Sequence, residues 1–218
     1  MKMIFVNFKT YKQGTGEQAV KLAKICQAVE KEASVKIFPV VQTVDIFRVV
    51  QKTGGSVWAQ HVDDVEYGQN TGQILPEAVK AAGASGTILN HSENKLPVEV
   101  INETIKRCQD LRLKVLVCTE SLEEAKEIAV AQPDFFAYEP PELIGSRTIS
   151  VSVAKPEVIQ DFVREIKKTP VLVGAGIHSR HDVKISIKLG AVGILVASDV
   201  VLASNPKNEL LDLAEGFK

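Results

Sequence analysis

Eight short runs of β-branched and other apolar residues recur along the chain, at 3–8, 35–39, 57–59, 86–89, 114–118, 135–138, 170–173 and 193–196. Several are nearly continuous in apolar side chains. That is the pattern of parallel strands buried on both faces, since a strand with one wet face alternates instead. Parallel strands also need crossovers of a dozen or more residues, usually helical. The intervening stretches fit. Ala19, Leu22, Cys26 and Val29 repeat at helical spacing within 18–32, and Val98, Ile101, Ile105 and Cys108 do so within 97–111. Pro76 and Pro97 suit first helical turns, and Ser121 with Glu124 three residues on is a capping-box start. In 181–190, Val183, Ile185, Ile187 and Leu189 alternate with other residues, which by period alone is a strand. The segment lies between two better strands, where a crossover is required, so a helix is predicted there. Eight strand–helix units in this length leave about 27 residues each, which predicts a closed (β/α)8 TIM barrel with short loops. Residues 1–218 read as one such domain, with an open doubly wound sheet as the alternative. No Gly-x-Gly-x-x-Gly follows the first strand, which ends Asn-Phe-Lys, and this weakens a dinucleotide-binding reading.

Charge narrows the function classes. Lys plus Arg is 26 and Asp plus Glu is 27, a formal net charge of −1. That balance argues against a generic nucleic-acid or membrane-surface binder and leaves room for a local anion site. No apolar run approaches the length of a membrane span, and the first residues turn polar too soon for a signal peptide. The cysteines, Cys26, Cys108 and Cys118, are odd in number and lack metal spacing. They read as small buried apolar residues of a reduced, cytoplasmic protein.

In a barrel the functional groups sit at the C-terminal ends of the strands and in the loops that follow. The first strand ends in Asn7 and Lys9, which alternation would place on one face. The fourth leads into Asn90, His91, Ser92 and Glu93, and the sixth into Glu139. The seventh runs into Gly174-Ala175-Gly176 and the eighth into Ala197-Ser198. Taken singly, each has a plain alternative: a solvated lysine, a structural histidine, an ion-paired acid, an ordinary turn. Together they converge on one rim. Backbone N–H groups at Gly176, Ala197 and Ser198 can approach an anion closely, and Lys9 adds positive charge. A carboxylate facing a neutral imidazole suits proton abstraction beside a carbonyl. His178 and His181, three apart beyond the seventh strand, read as surface polar residues rather than metal ligands.

Six motifs in order carry a family resemblance: Val-Asn-Phe-Lys-Thr-Tyr at 6–11, Ala-Gln-His at 59–61, Asn-His-Ser-Glu at 90–93, Tyr-Glu-Pro-Pro-Glu-Leu-Ile-Gly at 138–145, Gly-Ala-Gly-Ile at 174–177 and Leu-Val-Ala-Ser at 195–198. The chain resembles the triosephosphate isomerase family, in its short archaeal-type form. The resemblance implies a cofactor-independent aldose–ketose isomerase, without metal, of glycolysis and gluconeogenesis. It would interconvert dihydroxyacetone phosphate and D-glyceraldehyde 3-phosphate. Residue by residue, it implies Glu139 as the shuttling base and His91 as the electrophile, kept neutral by a helix N-terminus. Lys9 would be the third catalytic residue, stabilising the anionic substrate and enediolate, Asn7 would orient and bind the substrate, and Glu93 would help hold the Lys9 region in place. Ile144, Gly145, Gly176, Ala197 and Ser198 would complete the substrate site, the phosphate being held by backbone N–H groups. Residues 140–148 would form a lid that excludes water.

The family's lid commonly ends Gly-Thr-Gly, whereas this chain has Gly145-Ser146-Arg147, and Arg147 cannot visit positive φ as glycine does. The segment 146–153 reads about one residue longer than the usual spacing, and Asn94 stands where the family often has a basic residue. The loop 65–72 resembles one that inserts Thr71 into a neighbouring subunit near its Lys9. The resemblance therefore implies a dimer or a homotetramer, with no nucleic-acid or membrane partner. Two other classes fit part of the pattern. Another phosphate-binding barrel, such as a prenyl-glyceryl or indole-type synthase, leaves His91 and Glu139 unexplained, and a binding-only barrel has no use for a base.

Overall fold

The computed structural model describes residues 2–139 and 156–218. Its strands are β1 (Met3–Asn7), β2 (Lys36–Val41), β3 (Trp58–Ala59), β4 (Gly86–Leu89), β5 (Lys114–Thr119), β6 (Phe135–Tyr138), β7 (Val171–Val173) and β8 (Gly193–Val196). They pair in parallel in chain order, and β8 returns to β1 with Met3 opposite Gly193 and Val6 opposite Val196, closing the barrel. The helices are α1 (Glu17–Ala33), α2 (Ile46–Thr53), α3 (Pro76–Ala81), α4 (Val98–Asp110), α5 (Leu122–Ile128), α6 (Pro156–Glu165), α7 (Arg180–Lys188), α8 (Ser198–Val201) and α9 (Pro206–Glu215). The closed TIM barrel is as the alternation of elements predicts.

Both faces of the strands are buried, which accounts for their continuous apolar sequence. Outward residues such as Ile4, Val6, Val115 and Val117 pack with the helices. Inward residues form a second cluster that includes Met3, Phe5, Trp58, Ile88, Leu116, Cys118, Phe135, Ala137, Leu172 and Leu195. The rings of Phe5, Phe38, Trp58 and Phe135 fill this interior, with Phe5 and Trp58 edge to face at 4.7 Å. One step further along the inward register come Asn7 after Phe5, Glu139 after Ala137, and Gly174 after Leu172. The side-chain period of a strand thus delivers these three positions to the C-terminal mouth.

Local signals end and begin the helices. Ser121, Ser179 and Asn205 accept hydrogen bonds from backbone N–H groups three residues on, at the starts of α5, α7 and α9. Pro76 occupies the first turn of α3, whereas Pro97 is one residue outside α4, at its N-cap. The 181–190 segment is helical. Its buried positions are Asp182, Val183 and Ser186, so one helical face packs inward and the alternating apolar residues Ile185 and Ile187 are only half-buried. Cys26, Cys108 and Cys118 are free and buried. Burial pushes the Cys26 and Cys108 thiols up to about 12, well out of the reactive range. Among the described residues no helix is long and apolar enough to cross a membrane.

Gly86 has room for hydrogen only. A Cβ there would lie 2.6 Å from Trp58 Cζ3 and 2.7 Å from the Lys114 carbonyl oxygen. Gly86→Ala should therefore destabilise by about 1–3 kcal/mol through overpacking. Denaturant unfolding checks this, and an unchanged midpoint would show that the ring repacks freely.

Candidate active site

A cavity of about 270 Å³ opens at the C-terminal end of the barrel. Asn7, Lys9, His91, Glu93 and Glu139 line it together with Gly176, Ala197 and Ser198. The structure therefore brings every described candidate residue to one place. Ile144, Gly145, Arg147, the proposed lid at 140–148 and the spacing at 146–153 lie outside the described residues.

Lys9 reaches the cavity by a route that strand alternation does not give. β1 ends at Asn7, and Lys9 has φ 46°, in the left-handed region. Such a conformation costs a non-glycine residue about 1 kcal/mol and needs support. Asn7 Oδ1 accepts the Lys9 N–H at 3.0 Å, and Gln60 Nε2 donates to the Lys9 carbonyl at 2.9 Å. Gln60 is the central residue of the Ala-Gln-His motif, so that motif has a local structural use. The Lys9 ammonium then meets Glu93 Oε1 at 2.7 Å. Lys9 is the only lysine or arginine among the described cavity residues.

His91 and Glu139 are both buried, with His91 Nε2 3.9 Å from Glu139 Oε2. The Glu93 N–H donates to His91 Nδ1 at 3.2 Å. An acceptor at Nδ1 means that the ring carries its proton on Nε2, the nitrogen facing Glu139. The donor belongs to a tight turn, in which the Asn94 N–H also donates to the His91 carbonyl at 2.7 Å. α4 begins only at Val98. A turn amide thus stands at Nδ1, and among the described residues the helix N-terminus that the resemblance implies there is absent.

The Glu139 N–H donates to the Thr119 carbonyl at 2.9 Å, which fixes the backbone beside β5. Its Oε2 has no hydrogen-bond partner among the described residues. A buried carboxylate oxygen without a donor is costly, and such groups concentrate at functional sites. Gly174 makes room for it. A Cβ on Gly174 would lie 2.6 Å from Glu139 Cγ and 2.9 Å from Oε1. The sequence presents this glycine only as part of a small-residue turn, but here it shapes the carboxylate's seat.

Two contributors escape the sequence reading. Cys118 lies inward on β5 against Glu139. Burial, then the charge of Glu139 and a hydrogen bond to it, hold the thiol well above the ordinary cysteine range. His178 is the second. It lines the cavity, with Nδ1 3.0 Å from Asp199 Oδ1, while its N–H donates to Asp182 Oδ2 at 3.2 Å. The expectation of a surface residue fails for His178 and holds for His181, which is exposed. The available signal was position: His178 directly follows Gly-Ala-Gly-Ile at the end of β7. Among the described residues no group of three or more His, Cys, Asp or Glu is placed to hold a metal ion.

Fold and site together define a (β/α)8-barrel enzyme with its polar groups at the C-terminal rim. The family model described as triosephosphate isomerase matches residues 2–216. The chain is 45% identical to the triosephosphate isomerase of Methanobacterium bryantii, over 97% of this chain and 95% of that one. With the triosephosphate isomerase of Methanocaldococcus jannaschii it shares 40% identity over 97% and 98%. The fold matches the crystal structure of triosephosphate isomerase from Bartonella henselae, with a TM-score of 0.74 at 20% identity, covering 99% of this chain and 97% of that one. The chain belongs to the triosephosphate isomerase family and is an isomerase.

The contact between Gly174 and Glu139 generates a prediction. The Gly174→Ala methyl should force the carboxylate aside, and a displacement near 1 Å costs on the order of 10²-fold in rate. A crystal structure and a turnover assay of the variant check both halves. Wild-type turnover with Glu139 displaced would show that this seat is not needed.

Proposed function

We propose that the chain interconverts dihydroxyacetone phosphate and D-glyceraldehyde 3-phosphate through an enediolate. The observation that carries the reading is the buried pair at the cavity: an Nε2–H imidazole and, 3.9 Å away, a carboxylate oxygen with no hydrogen-bond partner among the described residues. Glu139 takes a proton from C1 of dihydroxyacetone phosphate, and the C–H electron pair becomes the C1–C2 double bond. His91 Nε2–H donates to the developing oxyanion on C2. Movement of a proton between the two oxygens through His91, and return of the proton from Glu139 to C2, leave the aldehyde at C1. The proton count balances and the molecule is neither oxidised nor reduced overall, so the step calls for no external oxidant or reductant.

Lys9 offsets the negative charge of substrate and enediolate, Asn7 orients the substrate, and Glu93 keeps the Lys9 ammonium in place. The backbone N–H groups of Gly176, Ala197 and Ser198 receive the phosphate, joined by Ile144 and Gly145 from the lid segment. In a water-poor cavity these charge interactions strengthen, and the enediolate is protected from losing phosphate. The reaction belongs to cytoplasmic glycolysis and gluconeogenesis. Self-association as a dimer or homotetramer rests on the family resemblance of the 65–72 loop, in which Tyr67 is exposed.

A coupled assay with glyceraldehyde 3-phosphate in the presence of chelator tests the reading. Turnover should survive the chelator. Glu139→Asp draws the carboxylate back by about 1 Å and should lose on the order of 10²-fold in turnover, about 2.7 kcal/mol of barrier, while phosphate ligands still bind. Wild-type turnover in Glu139→Asp would remove Glu139 from the role of base.

A further inference from the structure

His91 is held in place by its predecessor. Asn90 has φ 58°, a conformation that asparagine tolerates better than most residues, and its side chain is buried. That side chain bridges three segments. Nδ2 donates to the Cys118 carbonyl at 2.9 Å and to Glu124 Oε1 at 2.8 Å, and Oδ1 accepts the Leu96 N–H at 3.0 Å. The chain entering the His91 turn is thereby tied to the end of β5, to α5, and to the far side of its own loop.

Glu124 is the hub of this arrangement. In a capping box the third-residue carboxylate reaches back to the N–H of the capping serine. Here the Glu124 N–H donates to Ser121 Oγ at 3.1 Å, but the carboxylate goes elsewhere. Oε2 accepts the Glu120 N–H at 2.8 Å, and Oε1 receives both Asn90 Nδ2 and, at 2.7 Å, Lys95 Nζ. Lys95 also meets Glu120 Oε1 at 2.8 Å. Burial pulls the Glu124 carboxyl upward, but the hydrogen bonds from Lys95, the Glu120 amide and Asn90 outweigh it and keep the acid below the ordinary glutamate range. The hub is therefore an anion at neutral pH.

The other end of the link is Cys118. Its carbonyl accepts from Asn90, and its thiol faces Glu139. The corner between β5 and α5 is thus a common reference for both members of the His91–Glu139 pair. We propose that Glu124 is a positioning residue for the isomerisation, acting through Asn90 to set His91 Nε2 relative to Glu139. It touches no substrate. The inference rests on the reading of His91 as the electrophile, and it makes kcat, rather than KM, the quantity that Glu124 controls.

Steady-state kinetics of six variants test it. Glu124→Ala should lower kcat roughly 10-fold, less than a full ångström of misplacement costs, with KM within about 2-fold of wild type. Asn90→Gly, which keeps the backbone conformation, should do the same, and the double variant should be no worse than either alone because one link is broken once. Glu124→Gln keeps an acceptor for Asn90 and should recover most of kcat. It also serves if Glu124→Ala does not fold. Asn205→Ala removes a helix cap at a residue that does not line the cavity and should lose stability with kcat unchanged. A wild-type kcat in Glu124→Ala or additive losses in the double variant would overturn the proposal, as would a kcat loss in Asn205→Ala that tracks stability equally. His91→Asn separates the two levels. Full turnover there would overturn the electrophile reading itself, whereas lost turnover with an unaffected Glu124→Ala would overturn the positioning role alone.

Discussion

The pairing of β8 with β1 is the constraint on which the rest depends. Gly193 faces Met3 so closely that a Cβ would strike the Met3 backbone, and from there the register runs to Val6 opposite Val196. Once that seam closes, all eight parallel strands point the same way around one axis, and their C-terminal ends share one rim. The residues after β8 then stand beside those after β1 although nearly the whole chain separates them. The aromatic filling of the interior gives the cavity a floor, so polar groups entering at the rim cannot sink into the barrel.

Within that frame the site is built largely by backbone groups. A turn amide selects the tautomer of His91. A left-handed residue, braced by Asn7 and Gln60, turns Lys9 towards the cavity. A missing Cβ at Gly174 leaves space for the Glu139 carboxylate. Each device fixes a side chain's direction without spending a second ionisable group on it. That matters in a cavity where, among the described residues, Glu93, Glu139 and Asp199 face a single lysine. A further acid or base used merely as a prop would change the charge that the substrate meets.

The strands were legible because their burial on both faces writes itself into sequence as continuous apolar runs. β4, β6 and β8 begin and end at the predicted residues, and the others differ by one or two positions. The 181–190 segment shows where period fails and topology succeeds, since a parallel neighbour demands a crossover whatever the local alternation. The rim residues were legible as strand-end positions. Their support was not. Alternation predicts that Lys9 shares a face with Asn7, yet the lysine arrives through a left-handed turn. Two of the three partners of Asn90 lie 28 and 34 residues away, and neither Glu124 nor Cys118 has a local signature that distinguishes it from a cap or a core residue. His178 looked like surface because a histidine after a turn usually is, and only the folded loop brings it against Asp199.

The central claim is that a proton leaves carbon to Glu139 and returns to the neighbouring carbon. Isomerisation of dihydroxyacetone phosphate in deuterium oxide, with the product read by NMR or mass spectrometry, tests this directly. A carboxylate that holds the proton between the two steps can exchange it with solvent, so the account predicts glyceraldehyde 3-phosphate carrying deuterium at C2. Full turnover to a product with no solvent deuterium, together with wild-type turnover in Glu139→Asp, would mean that no carboxylate carries the proton between the carbons, and would contradict the account.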